Sequence, residues 1–179
     1  MRIFQPRRLL VPIDFSPISP GVLQAGVDIA QKWEAEVVAL HVARESDYVP
    51  HSAYESPFPP LAHDGARTGQ LSKFREDTRA RLTYQLEDML RQAGGGRKCK
   101  ALLLWGEPAK DIIQMAGSGG FDLIVMATHG RTGLNRVFVG SVTEEVLRHA
   151  PCPVFAIRIK EGRVVQAGRE EEEFALPLV

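Results

Sequence analysis

The chain has 179 residues, close to the usual length of one compact domain, which excludes a large multidomain machine. Hydrophobic residues make up 44% and charged residues 25%, and 22 Lys and Arg balance 22 Asp and Glu. This composition excludes wholesale disorder, and the balanced charge gives no basic patch for nucleic acid.

The first half of the chain predicts strand, helix, strand, loop and helix. Apolar runs at Leu9–Ile13 and Val37–Val42 predict strands, and Ser16 followed by Pro17 predicts the N-cap of a helix between them. Residues 43–69 are rich in proline and longer than most connections, which predicts a mobile loop or a lid. Each predicted helix has an apolar stripe with a 3.6-residue period: Ile18, Val22, Ala25, Ile29 and Trp33 in the first, and Leu71, Phe74, Thr78, Leu82, Leu86 and Met89 in the second.

The second half of the chain continues the alternation. Gly94 to Gly96 are expected to end the second helix, and three more apolar runs predict strands: Ala101–Trp105, Leu123–Ala127 and Val154–Ile159. Pro108 and Ser141 mark the starts of the two helices between these strands. We expect one domain over residues 1–160 and an acidic, then apolar tail over residues 161–179.

This alternation predicts an α/β fold with a parallel sheet. Apart from His41 and Arg158, the five runs show little polar alternation, as expected of strands covered by helices on both faces. Right-handed crossovers would close such a chain into a three-layer sandwich, in which ligands gather where strand ends splay apart.

The sequence gives no sign of export or membrane insertion. Its longest apolar runs have five or six residues, whereas a membrane helix needs roughly 20, and Pro12 and Asp14 interrupt the N-terminal run, so no signal peptide is predicted. Cys99 and Cys152 have no second cysteine or spaced histidine nearby and indicate neither a disulfide framework nor a zinc site. We expect a cytosolic protein with two reduced, structural thiols.

The richest local signal lies after the fourth predicted strand. The loop from Ala127 to Gly133 contains Gly130, and Gly140 and Ser141 then open the last helix. Backbone N–H groups at a helix N-terminus attract an anion without a charged side chain, so this loop is a candidate phosphate site. The alternative is purely structural, because Ser141 and Glu144 also have the spacing of a capping box.

Two further side chains are candidates for chemistry near this loop. Asp14 follows the first strand and would face the same crevice, where it could accept hydrogen bonds from a ribose or hold a metal; alternatively it shapes the turn before Pro17. His129 has no paired nucleophile and is not expected to be catalytic.

The combined pattern resembles the universal stress protein family over residues 7–160. The resemblance is carried by Leu9 to Ser16, by Leu40-His41-Val42, by Gly106-Glu107-Pro108-Ala109, and above all by Ala127 to Gly133, Gly140-Ser141-Val142 and His149 to Val154. It implies a Rossmann-like three-layer fold with an open five-stranded parallel sheet in the order 3-2-1-4-5, and a homodimer formed through the last strand.

In one subgroup of that family, the resemblance also implies an ATP site. The nucleotide loop of this subgroup reads Gly, two residues, Gly, nine residues, Gly, then Ser or Thr, and Gly130, Gly140 and Ser141 match it. The residues implied to contact the nucleotide are Pro12, Asp14 and Val42 at adenine and ribose, and Gly130, Gly140, Ser141 and Val142 at the phosphates, with Ala127 at the first position of the loop. Arg131 is close enough in sequence to add a charge there; alternatively it is a solvated loop arginine.

Ala127 is the main departure from that motif, because it stands where the first glycine is expected. With a positive φ an alanine there is strained, and with its Cβ directed at the phosphates it takes their space. With an ordinary φ and its Cβ directed elsewhere, it is harmless.

Three functions therefore follow as hypotheses. The first is a cytosolic homodimer that binds ATP or another adenine nucleotide, with or without magnesium or manganese, and signals in the stress response through an unidentified protein partner. The second is a nucleotide-free interaction module, for which Ala127 is the best argument. The third is a slow ATPase in which Asp14 places a metal ion. The P-loop and dinucleotide-binding fingerprints are both missing from the sequence.

Overall fold

The computed structural model describes residues 4–48, 65–128, 140–160 and 163–164, and this part of the chain forms seven strands and five helices. In chain order the elements are β1 Arg8–Pro12, α1 Ser19–Trp33, β2 Glu36–Ala43, α2 Glu45–Tyr48, α3 Gly65–Gln92, β3 Cys99–Trp105, α4 Pro108–Ser118, β4 Leu123–Ala127, α5 Ser141–His149, β5 Val154–Ile157, β6 Ile159–Lys160 and β7 Arg163–Val164.

Strands β1 to β5 form one sheet in the order β3-β2-β1-β4-β5, and every pairing in it is parallel. This confirms the fold class and the strand order expected from the sequence. The expected fifth strand ends earlier, at Ile157, because Ile159 and Lys160 turn away and pair antiparallel with Arg163 and Val164.

Helices cover both faces of the sheet, as the continuous apolar runs predict. Leu9 and Val11 of β1 pack with α1 and α3 on one face, and Leu10 packs with α4 and α5 on the other. All three side chains are completely buried. None of the described helices combines the length and the apolar character needed to cross a bilayer.

The ends of the predicted loop over residues 43–69 are helical, since α2 and the first residues of α3 lie there. The rest of that loop lies outside the described residues, as does most of the tail over residues 161–179. The predicted stop of the second helix is correct: Gly94 has a φ of 76°, and the N–H groups of Gly94 and Gly95 donate to the carbonyls of Arg91 and Leu90.

The predicted N-cap at Ser16 is wrong. Helix α1 begins three residues later, at Ser19, and the proline in its first turn is Pro20. Ser16 belongs to the preceding turn, where its N–H donates to Asp14 Oδ1 at 3.0 Å and the chain reverses through Phe15, whose φ is 59°.

The predicted capping box at Ser141 and Glu144 is also wrong. The N-cap of α5 is Gly140, which has the extended conformation of that position and makes no side-chain capping bond. Ser141 is already inside the helix, so its hydroxyl lies one residue beyond the capping position.

Both cysteines are free thiols and half-buried. Burial raises the pKa of the Cys152 thiol above its usual value, and the negative charge of Asp122 raises it further. A raised pKa keeps this thiol protonated and weakly nucleophilic at neutral pH.

Gly26 sets the distance between α1 and the central strand. A methyl group at Gly26 would lie 2.7 Å from Cγ2 of Val11, a fully buried and conformationally stiff side chain. We expect Gly26→Ala to push α1 from β1 and to lower the free energy of unfolding by about 1 to 3 kcal/mol, measured by urea denaturation. Gly96→Ala is the matched control, since a methyl there meets nothing within 4 Å. Equal midpoints for the two variants would contradict this packing.

Candidate functional site

One cavity of about 390 Å³ opens at the edge of the sheet where the parallel strands end. It lies between the carboxyl ends of β1, β2 and β4 and the first turns of α1, α4 and α5. The lining residues are Pro12, Ile13, Asp14, Ile18, Ser19, Val22, Leu40, His41, Val42, Arg44, Asp47, Pro108, Ile112, Met126, Ala127, Gly140, Ser141, Val142 and Thr143.

The cavity brings together seven of the nine residues expected at a nucleotide site. These are Pro12, Asp14, Val42, Ala127, Gly140, Ser141 and Val142, which come from four separate stretches of sequence. The other two, Gly130 and Arg131, lie outside the described residues, as does His129.

Asp14 is held in a defined position at the end of β1. Its Oδ1 accepts hydrogen bonds from the Ser16 N–H at 3.0 Å and from the Ser19 hydroxyl at 2.9 Å. Both serines are buried, with 5% and 2% of their surface exposed. Asp14 therefore does shape the turn, as the alternative interpretation holds. The same two hydrogen bonds fix one oxygen of its carboxylate in the cavity wall.

The first turn of α5 forms the wall of the cavity contributed by the last helix. The N–H of Gly140 donates to the Thr128 carbonyl at 2.8 Å, and the Thr143 hydroxyl donates to the Ala127 carbonyl at 2.9 Å. These bonds fasten the helix start to the end of β4. The next amides, at Ser141 and Val142, belong to the turn in which N–H groups have no carbonyl partner within the helix.

Ala127 has an ordinary backbone conformation. Among the described residues other than glycine, only Phe15 and Glu34 have a positive φ. The Ala127 side chain packs against the core on the α1 side of the sheet, in alternation with Met126, which packs toward α4 and α5. The backbone at Ala127 is therefore not strained, and its conformation does not require a glycine.

The base of the cavity on the β2 side is apolar and its rim is charged. Leu40, Val42 and Ile112 are buried in the core on the α4 side. At the rim, Arg44 Nε lies 3.3 Å from Glu107 Oε2, which links the end of β2 to the residue before α4. Asp47 of α2 also lines the cavity.

His41 and Tyr48 are functional candidates that the sequence analysis missed. His41 is 3% exposed; its Nδ1 lies 2.7 Å from the Ile13 carbonyl oxygen and its Nε2 lies 2.9 Å from the Tyr48 hydroxyl. A carbonyl oxygen only accepts, so in the neutral ring Nδ1 donates and Nε2 accepts from Tyr48. In the sequence, the signal for His41 is that it is a polar residue inside an otherwise apolar strand.

No group of three or more His, Cys, Asp or Glu side chains in the described part of the chain is placed to hold a metal ion. Of the carboxylates in the cavity wall, Asp14 and Asp47 remain the candidates for contact with a metal that arrives with a ligand.

Comparison with known proteins identifies the family. The family model described as "Universal stress protein family" matches residues 6–158. Universal stress protein MJ0531 of Methanocaldococcus jannaschii is 31% identical over 152 residues, which cover 85% of this chain and 82% of that protein. The chain belongs to the universal stress protein family, which confirms the resemblance seen in the sequence.

Solved structures show the same fold. Universal stress protein UspA from Lactobacillus plantarum aligns with a TM-score of 0.64 and 28% identity over 86% of this chain and 97% of that one. A universal stress protein solved in complex with cAMP aligns with a TM-score of 0.58 over 87% of this chain and 99% of that one; at 15% identity this likeness concerns the fold only.

Proposed function

We propose that this protein binds ATP or another adenine nucleotide in the cavity at the carboxyl ends of β1, β2 and β4, and acts in the stress response through that binding. The observation that carries the proposal is the convergence of Asp14 and the first turn of α5 on one cavity of about 390 Å³. A volume of this size is typical of small-molecule sites.

Each part of a nucleotide has a suitable counterpart in the cavity wall. The apolar side chains at the end of β2 and on α4 suit a base, with Val42 offering backbone groups to its edge, and Asp14 suits ribose hydroxyls as a hydrogen-bond acceptor. The amides of Ser141 and Val142, at the positive end of the α5 dipole, suit phosphates, and Gly140 beside them has no side chain to hinder the approach of a phosphate. Gly130 and Arg131 are proposed to complete the phosphate side.

The cAMP complex of a protein with the same fold is consistent with an adenine nucleotide. A metal ion, magnesium or manganese, would enter with the phosphates, and Asp14 is the side chain proposed to face it. The cytoplasmic location and the unidentified protein partner stay predictions.

Binding measurements test whether the protein holds an adenine nucleotide. We expect nucleotide released from the purified protein to be detectable by mass spectrometry, and calorimetry with ATP and magnesium to give micromolar affinity, about 8 kcal/mol of binding free energy. Asp14→Asn should weaken binding about tenfold or more, because an acceptor for ribose loses its charge. Asp28→Asn, on the exposed side of α1, is the matched control and should leave the affinity unchanged.

Absence of heat at millimolar ATP, together with absence of released nucleotide, would reject this proposal. The nucleotide-free interaction module would then be the better account of the chain.

Ala127→Gly tests the departure from the family motif. Because Ala127 has an ordinary φ and its methyl packs against the core, we expect the affinity for ATP to change less than about twofold. The free energy of unfolding should fall by about 0.5 to 1 kcal/mol, since glycine gains freedom in the unfolded chain. Binding that appears only in the glycine variant would instead identify the methyl as an obstacle.

We also propose that two copies associate through β5, one of the two edge strands of the sheet. An edge strand has unpaired backbone groups, and β5 carries Phe155, a large apolar side chain that is 55% exposed. Leu147 of α5, the helix before this strand, is 46% exposed.

Sedimentation tests this association. We expect the protein to have twice the chain mass of 19.8 kDa at micromolar concentration, and Phe155→Asp to have the single-chain mass because a charge would replace the apolar contact. Tyr84→Asp, on an exposed aromatic residue of α3, should leave the mass doubled. A single-chain mass for the unmodified protein would refute the dimer.

A further inference from the structure

We propose that His41 and Tyr48 act as positioning residues for Asp14, so that the seating of α2 against the sheet sets the affinity of the cavity for the ribose. This inference rests on the proposed function, in which Asp14 accepts hydrogen bonds from ribose hydroxyls. It adds a regulatory connection between that carboxylate and an element distant from it in sequence.

His41 contacts both sequence neighbours of Asp14. Its Nδ1 donates to the Ile13 carbonyl at 2.7 Å, and its ring lies 4.5 Å from the Phe15 ring, centroid to centroid. Asp14 therefore stands between two residues that a single buried side chain holds.

The backbone at Phe15 has an unfavourable conformation. Its φ of 59° lies in the left-handed region, which a residue with a Cβ adopts at a cost. Contact with the His41 ring is one interaction that holds Phe15 in this conformation, and the conformation directs the chain so that the Ser16 N–H reaches Asp14 Oδ1. Loosening His41 would allow this turn to relax, and the carboxylate would move with it.

Tyr48 fixes the orientation of the His41 ring. Its hydroxyl donates to Nε2 at 2.9 Å, which leaves the ring proton on Nδ1, where the Ile13 carbonyl requires it. The Tyr48 ring meets the His41 ring edge-on at 6.0 Å and the Trp105 ring at 6.1 Å. Tyr48 is thus held by β2 and β3 and passes that restraint to the turn at Asp14.

Tyr48 is the last residue of α2, whose Asp47 lines the same cavity as Asp14. An ion pair between Glu45 and Arg75 joins α2 to α3. Any ligand or partner that shifts α2 would act on Asp14 through two hydrogen bonds, and by thermodynamic reciprocity a bound nucleotide would stabilise α2 in its seat.

The experiment uses Tyr48→Phe, which removes one hydroxyl and keeps the ring. Tyr84→Phe removes the same atom from an exposed residue of α3 and is the matched control. His41→Asn keeps a donor beside the Ile13 carbonyl but loses Tyr48, and His41→Leu loses both partners. If His41→Leu does not fold, Tyr48→Phe and His41→Asn carry the test.

The first measurement needs no nucleotide. Amide hydrogen exchange at Ser16 reports its bond to Asp14, and we expect exchange to accelerate about threefold to tenfold in Tyr48→Phe, with exchange at Leu10 of β1 unchanged. His41→Leu should accelerate it further than His41→Asn. Unchanged exchange at Ser16 in Tyr48→Phe would overturn the inference.

The second measurement separates positioning from general destabilisation. Calorimetry compares ATP with 2′-deoxy-ATP, because the two nucleotides differ only in the 2′-hydroxyl of the sugar. We expect the preference for ATP to fall about threefold or more in Tyr48→Phe and to persist in Tyr84→Phe. An unaltered preference in Tyr48→Phe would overturn the inference. If the unmodified protein binds neither nucleotide, the proposed function fails, and the exchange at Ser16 still decides whether Tyr48 positions Asp14.

Discussion

Burial of β1 on both faces is the constraint on which the rest of the structure depends. Leu9, Leu10 and Val11 have no exposed surface, so this strand requires a helical layer above and below it and a neighbouring strand on each side. Parallel neighbours in turn require helical crossovers. All connections that leave the carboxyl ends of the strands therefore meet at one edge, and β1 and β4, which are followed by helices on opposite faces, open the cavity between them.

Continuous hydrophobicity made the architecture predictable. A strand in the interior of a parallel sheet has no polar face, so Leu9–Ile13 and Leu123–Ala127 were recognisable without any knowledge of their partners. The candidate site was predictable for a related reason. Asp14 and Gly140 were placed near one another by topology, since the ends of adjacent parallel strands share an edge.

The details that sequence reasoning missed depend on contacts between distant residues or on backbone angles. Ser16 and Ser141 have the right residue type for helix caps, but the turn at Phe15 delays the start of α1 to Ser19, and the extended Gly140, not Ser141, is the N-cap of α5. Short helix α2 has no periodicity to detect. Tyr48 of α2 contacts His41 of β2 through a hydrogen bond and an edge-on ring contact. The types of these two residues do not predict that they lie together.

The two edges of the sheet are chemically unlike. Strand β3 exposes the ammonium group of Lys100, a charge that discourages the addition of another strand, whereas β5 exposes the ring of Phe155. In the proposed dimer, β5 of one copy meets β5 of the other about a two-fold axis, which closes the contact. Of the two edges of the described sheet, only the β3 edge would then stay open, and its charge disfavours the addition of further strands and growth into a fibre.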